Sequence, residues 1–200
     1  MKDNYEKSRM AVDAVIFTIH EGKLKILLHE REKDPFKGKK ELPGGLLQIN
    51  ETAEQTLTRK IKEIVGAQEI FFQQFYTFTD PKRDPRDRTV SIGFIALINS
   101  SRINDLSKWF DCNNIKDLAF DHKLIVDKAK EYLKSEINSI IVKQFMSEQF
   151  PLNKLQEAYE IIENVEYDNR NFRRQMITSG IVKETKKLEK SVSHRPAKFY

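Results

Sequence analysis

The hydrophobic pattern opens with an apolar run over residues 11–19. A turn at Glu21-Gly22-Lys23 separates it from a second run over 24–29. The first run is rich in β-branched residues, the second is an apolar run around Leu24, Ile26, Leu27 and Leu28, and the pair predicts a β-hairpin. Residues 31–40 are charged and carry Pro35 and Gly38, which predicts a loop. Leu42-Pro43-Gly44-Gly45-Leu46 predicts a tight, glycine-dependent bend. Asn50 then reads as a helix N-cap, with Glu51 and Glu54 in the first turn, where the helix dipole favours acids. Leu57, Ile61 and Ile64 recur at helical spacing up to Val65, with Gly66 as the stop.

Residues 69–79 and 89–98 predict two further strands, joined by the charged loop 80–88. Residues 121–148 predict one long helix, or two with a break, ended by Pro151. Leu152, Leu155, Tyr159 and Ile162 keep helical spacing. Residues 169–178 predict another helix, closed by Ser179-Gly180, whose core face is assigned to Phe172, Met176 and Ile177. Short strands are expected at 181–185 and 197–200, paired around the basic loop 186–195. No internal repeat interrupts this order.

Composition adds exclusions. The apolar fraction is 39% with 13 Phe, enough to build a core. No apolar run approaches the roughly 18 residues that span a bilayer, and residues 1–10 lack the apolar core of a signal peptide. Cys112 is the only cysteine, which excludes an internal disulfide and a zinc cluster of paired cysteines. A cytoplasmic protein is expected. Charge is unevenly placed: residues 168–200 carry nine Lys or Arg against three acids, a net +6 out of the chain's +5, which leaves the remainder at −1. A basic segment on a near-neutral body fits either a polyanion binder or a solvated basic tail, and charge alone does not separate the two.

The segment Gly45-x5-Glu51-x7-Arg59-Lys60-Ile61-Lys62-Glu63-Ile64-Val65-Gly66-Ala67 resembles the Nudix signature, G-x5-E-x7-R-E-U-x-E-E-x-G-U with U apolar. Positions 60, 63 and 64 fall on one side of the helix, where three carboxylates would converge on the Mg²⁺ ions that hydrolysis of a pyrophosphate needs. Here the first is Lys60 and the third is Ile64, so only Glu63 is left to ligate a metal. A vestigial box (Gly45, Glu51, Arg59, Lys60, Glu63, Ile64, Gly66) is expected, with no catalytic residues, no metal site beyond Glu63 and no required cofactor. Mg²⁺ enters only if the chain is a hydrolase after all.

Loop 80–88, Asp80-Pro81-Lys82-Arg83-Asp84-Pro85-Arg86-Asp87-Arg88, is stiffened by two Asp-Pro pairs, and its arginines suit phosphate. With the strand Val90-Ser91-Ile92-Gly93-Phe94 and then Leu118-Ala119-Phe120-Asp121-His122, it is similar to the ADP-ribose-pyrophosphatase-related branch of the Nudix superfamily. Lys60, Glu63, Arg83, Arg86 and Arg88 are the expected ligand-binding residues. Asp121 suits a helix N-cap with His122 beside it, and both read as structural.

The C-terminal segments Phe150-Pro151-Leu152, Asn169-Arg170-Asn171-Phe172-Arg173-Arg174 and Arg195-Pro196-Ala197 resemble the winged helix-turn-helix of Nudix-related transcriptional regulators of the NrtR type. Arg170, Arg173 and Arg174 share one helix face by spacing. Together with Asn171 on the helix, and with Lys186, Lys187, Lys190 and Arg195 on the wing, they are the expected DNA-binding residues. The resemblance implies an α+β protein: a Nudix α/β/α sandwich with a mixed sheet over 1–135, then a small winged helix domain over 136–200. It implies a homodimeric repressor that binds operator double-stranded DNA and senses ADP-ribose or a related metabolite, with no membrane partner. The alternatives are an active Nudix hydrolase with an accessory domain, separated by the residues at 60 and 64, and an RNA-associated protein, disfavoured because the basic tail lacks interleaved aromatics.

Overall fold

The computed structural model describes residues 7–65, 70–139, 142–185 and 198–200. Its spine is strand β1 (Arg9–His20), buried almost throughout. Around the turn at Glu21-Gly22, both at positive φ, it forms the predicted hairpin with β2 (Lys23–Leu27). Short β3 (His29–Glu30) and β4 (Lys40–Glu41) pair at the base of the expected loop. β5 (Gly44–Leu46) follows, then α1 (Ala53–Val65), β6 (Phe72–Phe78) and β7 (Thr89–Leu97). β8 (Trp109–Asp111), α2 (His122–Ser135), α3 (Leu152–Glu163) and α4 (Asn169–Thr178) complete the order.

The main sheet runs β6-β7-β1-β2-β8, with β5 also on β1. β7 lies parallel to β1, and β2 and β5 share the other edge of β1 antiparallel, so the sheet is mixed. Strand alternation divides β1 between two layers. Val12, Ala14 and Ile16 pack with Leu57 and Ile61 of α1, while Val15 and Phe17 pack with Ile125, Val126, Ala129 and Leu133 of α2. This second cluster runs without interruption into the C-terminal module through Phe145, Phe150, Leu155, Tyr159, Ile162, Phe172, Met176 and Tyr200. One apolar core therefore joins the sheet to the C-terminal helices.

Four expectations about elements are corrected. Helix α1 begins at Ala53 rather than after Asn50. Thr52 and Gln55 form a reciprocal cap, Gln55 N donating to Thr52 Oγ1 (3.2 Å) and Thr52 N to Gln55 Oε1 (2.9 Å), which satisfies the helix start better than Asn50 would. The helix expected over 121–148 ends at Ser135, because the chain turns at Glu136–Ser139 (Ser139 N to Glu136 O, 2.8 Å) and only a 3₁₀ turn, Val142–Phe145, follows. Ile177 is 40% exposed, since the core side of α4 is filled by Phe172 and Met176. Phe199 and Tyr200 pair with Phe150 and Pro151, and meet the other expected strand at Thr185, whose N and Oγ1 both donate to Phe199 O (2.9 Å), and at Glu184, which accepts from the Lys198 and Tyr200 side chains.

Candidate functional site

The first turns of α1 place the box beside β5. Arg59 forks onto Glu51, Nε to Oε1 and Nη2 to Oε2, both at 2.7 Å, while Thr56 donates to the same carboxylate at 2.9 Å. The Arg59 hydrogen bonds press the Glu51 carboxyl down to about 2. Lys60 Nζ lies 2.7 Å from Glu63 Oε2, and Arg59 Nη1 reaches Glu63 Oε1 at 3.4 Å. Those contacts, Lys60 foremost, hold Glu63 below its ordinary value. The Lys60 stem passes so close to Gly45 that a Cβ there would come within 2.9 Å of Lys60 Cε. At Gly44 a Cβ would meet Val12 O at 2.3 Å, so glycine is what allows β5 to reach β1.

A divalent cation does not fit this donor set. Glu51 and Glu63 are both neutralised within the box, Ile64 packs partly buried against the α1 core layer, and Lys60 puts an ammonium where a ligand oxygen would stand. Among the described residues no group of three His, Cys, Asp or Glu is arranged to hold a metal ion.

The box forms one wall of a cleft of about 560 Å³ whose other lining residues include Arg31, Glu41, Gly44 and Arg86. A smaller recess of about 100 Å³ shares Arg31, Glu41 and Arg86 and continues past Phe120 to Arg83 and His122. At that corner the Arg31 and Arg86 guanidinium carbons lie 4.7 and 5.0 Å from the centre of the Phe120 ring, which also meets the Phe36 ring edge-on. Phe36 and Phe120 both adopt positive φ, a costly conformation for such residues that is typically retained where a site is shaped. Burial pushes the Glu41 carboxyl up, but bonds from His29 (3.2 Å) and Arg31 (2.8 Å) outweigh it and hold it below its usual range.

Beneath the recess is a buried polar knot. Arg83 donates through Nε and Nη2 to Asp121 (2.9 and 2.8 Å) and through Nη2 to Asp13 (3.1 Å), and Ser91 Oγ donates to Asp13 at 2.6 Å. His122 Nδ1 accepts from Leu42 N at 2.9 Å, and burial pushes the imidazole below its ordinary value.

On the C-terminal module, α3 and α4 make a helix-turn-helix. Asn164 caps α3 in the left-handed conformation, and Asp168 caps α4 by accepting from Asn171 N at 2.9 Å. Buried Gln156 sets their angle: its Nε2 lies within 2.8–2.9 Å of Glu160 Oε1, Tyr167 O and Asn169 Oδ1. Phe172 and Met176 anchor α4, leaving Arg170, Asn171, Arg173 and Arg174 exposed on the opposite side.

Comparison with known proteins agrees with both halves. Residues 7–129 match the model of the NUDIX domain, and residues 142–200 match that of the NrtR DNA-binding winged helix domain. The ADPR responsive transcriptional repressor NtrR of Acinetobacter baylyi is 33% identical over all of this chain and 84% of its own length. The chain belongs to the NrtR family.

NrtR of Shewanella oneidensis, solved with a 27mer DNA, superposes with a TM-score of 0.83 at 30% identity, covering 96% of this chain and 92% of that one. Its NUDIX domain, solved with ADP ribose, gives 0.58 at 32% identity over 66% of this chain and 93% of that domain. The ADP-ribose pyrophosphatase of Methanocaldococcus jannaschii is 36% identical over 65% of this chain and 76% of its own. The likeness to the Shewanella regulator covers the sheet and the C-terminal helices together, so this chain has the α+β fold of an NrtR protein, a NUDIX domain followed by a winged helix.

Within this NrtR fold, the expected site residues separate. Lys60, Glu63 and Arg86 line the cleft. Arg83 lines the smaller recess, is only 8% exposed and has its guanidinium held by Asp13 and Asp121. Arg88 lies off the cleft, with Nη1 on Thr79 O at 2.8 Å. Asp121 stands at the N-cap position of α2 but makes no side-chain cap, because its carboxylate serves Arg83. Of the DNA-binding set, Arg173 is bonded to Glu184 and Arg174 Nη2 to Asn171 Oδ1 at 3.1 Å. Gly66, Lys186, Lys187, Lys190 and Arg195 lie outside the described residues. Sequence reasoning missed Asp13, Arg31, Glu41 and Phe120. Asp13 was open to detection, as the one acid inside an otherwise continuous apolar strand.

Proposed function

We propose that this chain is an ADP-ribose-responsive repressor that binds operator DNA through α4 and binds its nucleotide in the cleft beside α1. The observation that carries the reading is α4 itself. Its arginines stand exposed on one side while Phe172 and Met176 fix the other side to a core continuous with the nucleotide domain. Such a helix suits the major groove, and its N-terminal residues would reach base edges and phosphates. The likeness to a repressor named for ADPR and to a regulator solved on DNA supports the same reading.

The ligand contacts belong to Lys60, Arg86 and Arg31, whose cations line the cleft. The protein acts as a homodimer on a two-fold operator. It works in the cytoplasm and needs no cofactor for DNA or effector binding. It does not turn over ADP-ribose efficiently, since Glu63 alone cannot assemble the metal cluster of a hydrolase.

Fluorescence anisotropy of a labelled duplex from its own upstream region, in excess competitor DNA, tests the reading. Specific binding that is lost in an Arg170→Ala, Arg174→Ala double variant is the expected result. Binding that competitor abolishes refutes it. The hydrolase alternative is supported by the likeness to an ADP-ribose pyrophosphatase. It requires turnover with Mg²⁺ or Mn²⁺ that Glu63→Gln removes.

A further inference from the structure

The geometry points to a replacement of the divalent cation by Lys60: the chain takes a diphosphate ligand on the Lys60 ammonium, with no metal ion between them. This inference rests on the reading above that a nucleoside diphosphate occupies the cleft, and it adds how the negative charge is met.

The charges in the box account for each other. Two carboxylates, Glu51 and Glu63, face two cations, Arg59 and Lys60, and all four are bonded within the group. A magnesium ion demands near-octahedral oxygen ligands at about 2.0–2.1 Å and gives up its water reluctantly, so a charge-neutral box offers it little. Of the other carboxylates that line the cleft, Glu41 is engaged by Arg31 and His29 and Glu30 by Lys40, and Glu32 alone would add a single oxygen donor group. The third metal position has gone to the apolar layer, with Ile64 packed beside Leu57 and Ile61.

Lys60 is well placed for the substitution. Its side chain is 29% exposed, runs past Gly45 and ends on the cleft wall, within the same space as Arg31 and Arg86. A flexible four-carbon stem lets the ammonium exchange Glu63 for a phosphate oxygen. When it leaves, Arg59 Nη1, already 3.4 Å from Glu63 Oε1, keeps that carboxylate compensated. Glu63 is 50% exposed, so the carboxylate that Lys60 leaves is shared between Arg59 and solvent and no buried charge is stranded, which would be the expensive outcome.

Two measurements on the full chain test this. In the first, Mn²⁺ alone is titrated and followed by electron paramagnetic resonance. Wild type leaves the free-ion signal unchanged, and a Lys60→Glu, Ile64→Glu double variant quenches it. Mn²⁺ bound by wild type and lost in Glu63→Gln overturns the inference whatever the effector is.

In the second, calorimetry follows inorganic pyrophosphate and ADP-ribose in EDTA and again in Mg²⁺. Wild type binds pyrophosphate in EDTA, and Mg²⁺, which chelates free pyrophosphate, brings no gain. Lys60→Gln, which keeps the stem and removes the charge, weakens binding by about tenfold or more, the effect of losing one charge-assisted hydrogen bond. A requirement for Mg²⁺, no pyrophosphate binding in EDTA, or unchanged affinity in Lys60→Gln each overturns it. Pyrophosphate bound through Lys60 while ADP-ribose is not bound refutes only the effector assignment.

Discussion

Arg83 and Asp121 share a two-pronged bond, Nε to Oδ2 at 2.9 Å and Nη2 to Oδ1 at 2.8 Å, that fastens the loop before β7 to the first turn of α2. The same guanidinium reaches Asp13 in the centre of β1, so three segments distant in sequence meet at one buried cation.

Removing that cation leaves two largely buried carboxylates uncompensated. Arg83→Met is expected to lower the unfolding free energy by about 3–5 kcal/mol in urea denaturation, the usual cost of breaking a buried ion pair from one side. A loss below about 1 kcal/mol, the scale of an exposed pair, would show that Arg83 serves the ligand and not the fold.

Glu51 makes stability depend on acid. Its carboxyl is held at about 2 in the folded chain, against an ordinary value of 4.5, so the unfolded chain binds the extra proton first. Its contribution is complete above pH about 4.5 and fades as pH falls towards about 2. The denaturation midpoint of wild type should therefore drop more steeply across that window than that of Glu51→Gln, which has no proton to gain there. Parallel pH profiles would contradict this assignment.

Cys112 is buried, and desolvation pushes its thiol up to about 12. Its reaction with a thiol reagent at neutral pH should track global unfolding and stay slow in the native protein. Fast native labelling would show that the loop after β8 opens locally.

Much of this architecture was legible because period-two and helical patterns report burial directly. The hairpin, β7, α1, α3 and α4 follow from it. The less legible places are those where tertiary contacts outweighed local pattern. Arg83 sits in a loop of alternating charge that looks solvated, and only the fold brings Asp13 and Asp121 to it. Asn50 is a good cap by type, yet the reciprocal Thr52–Gln55 pair wins. Leu133 and Ile137 continue a helical stripe, although α2 ends between them because the chain must turn to bring Ile137 into the shared core. The cleft corner at Phe120 is assembled from Arg31 and Arg86, far apart in sequence, with no local signature.

Gln156 predicts how DNA binding depends on a residue that faces away from DNA. Its amide links α3 to the turn and to the first residue of α4. Gln156→Leu should cost about 1–3 kcal/mol of stability, the penalty for unmade buried hydrogen bonds, and should also weaken binding to the duplex. Arg170→Ala should reduce the salt dependence of binding by about one counterion if it contacts phosphate, and Arg173→Ala by less, because Arg173 is bonded to Glu184. Equal losses from both arginines would contradict the arrangement of α4.

The most direct test of a sensor that acts on DNA is linkage between its two ligands, measured as duplex affinity at low and saturating ADP-ribose in the presence of EDTA. The account predicts competitor-resistant binding whose affinity changes by about tenfold or more with the nucleotide, and a reciprocal change of equal factor in ADP-ribose affinity between free and DNA-bound protein. Duplex binding that is specific but identical with and without ADP-ribose, or ADP-ribose that binds free and DNA-bound protein equally, would contradict it.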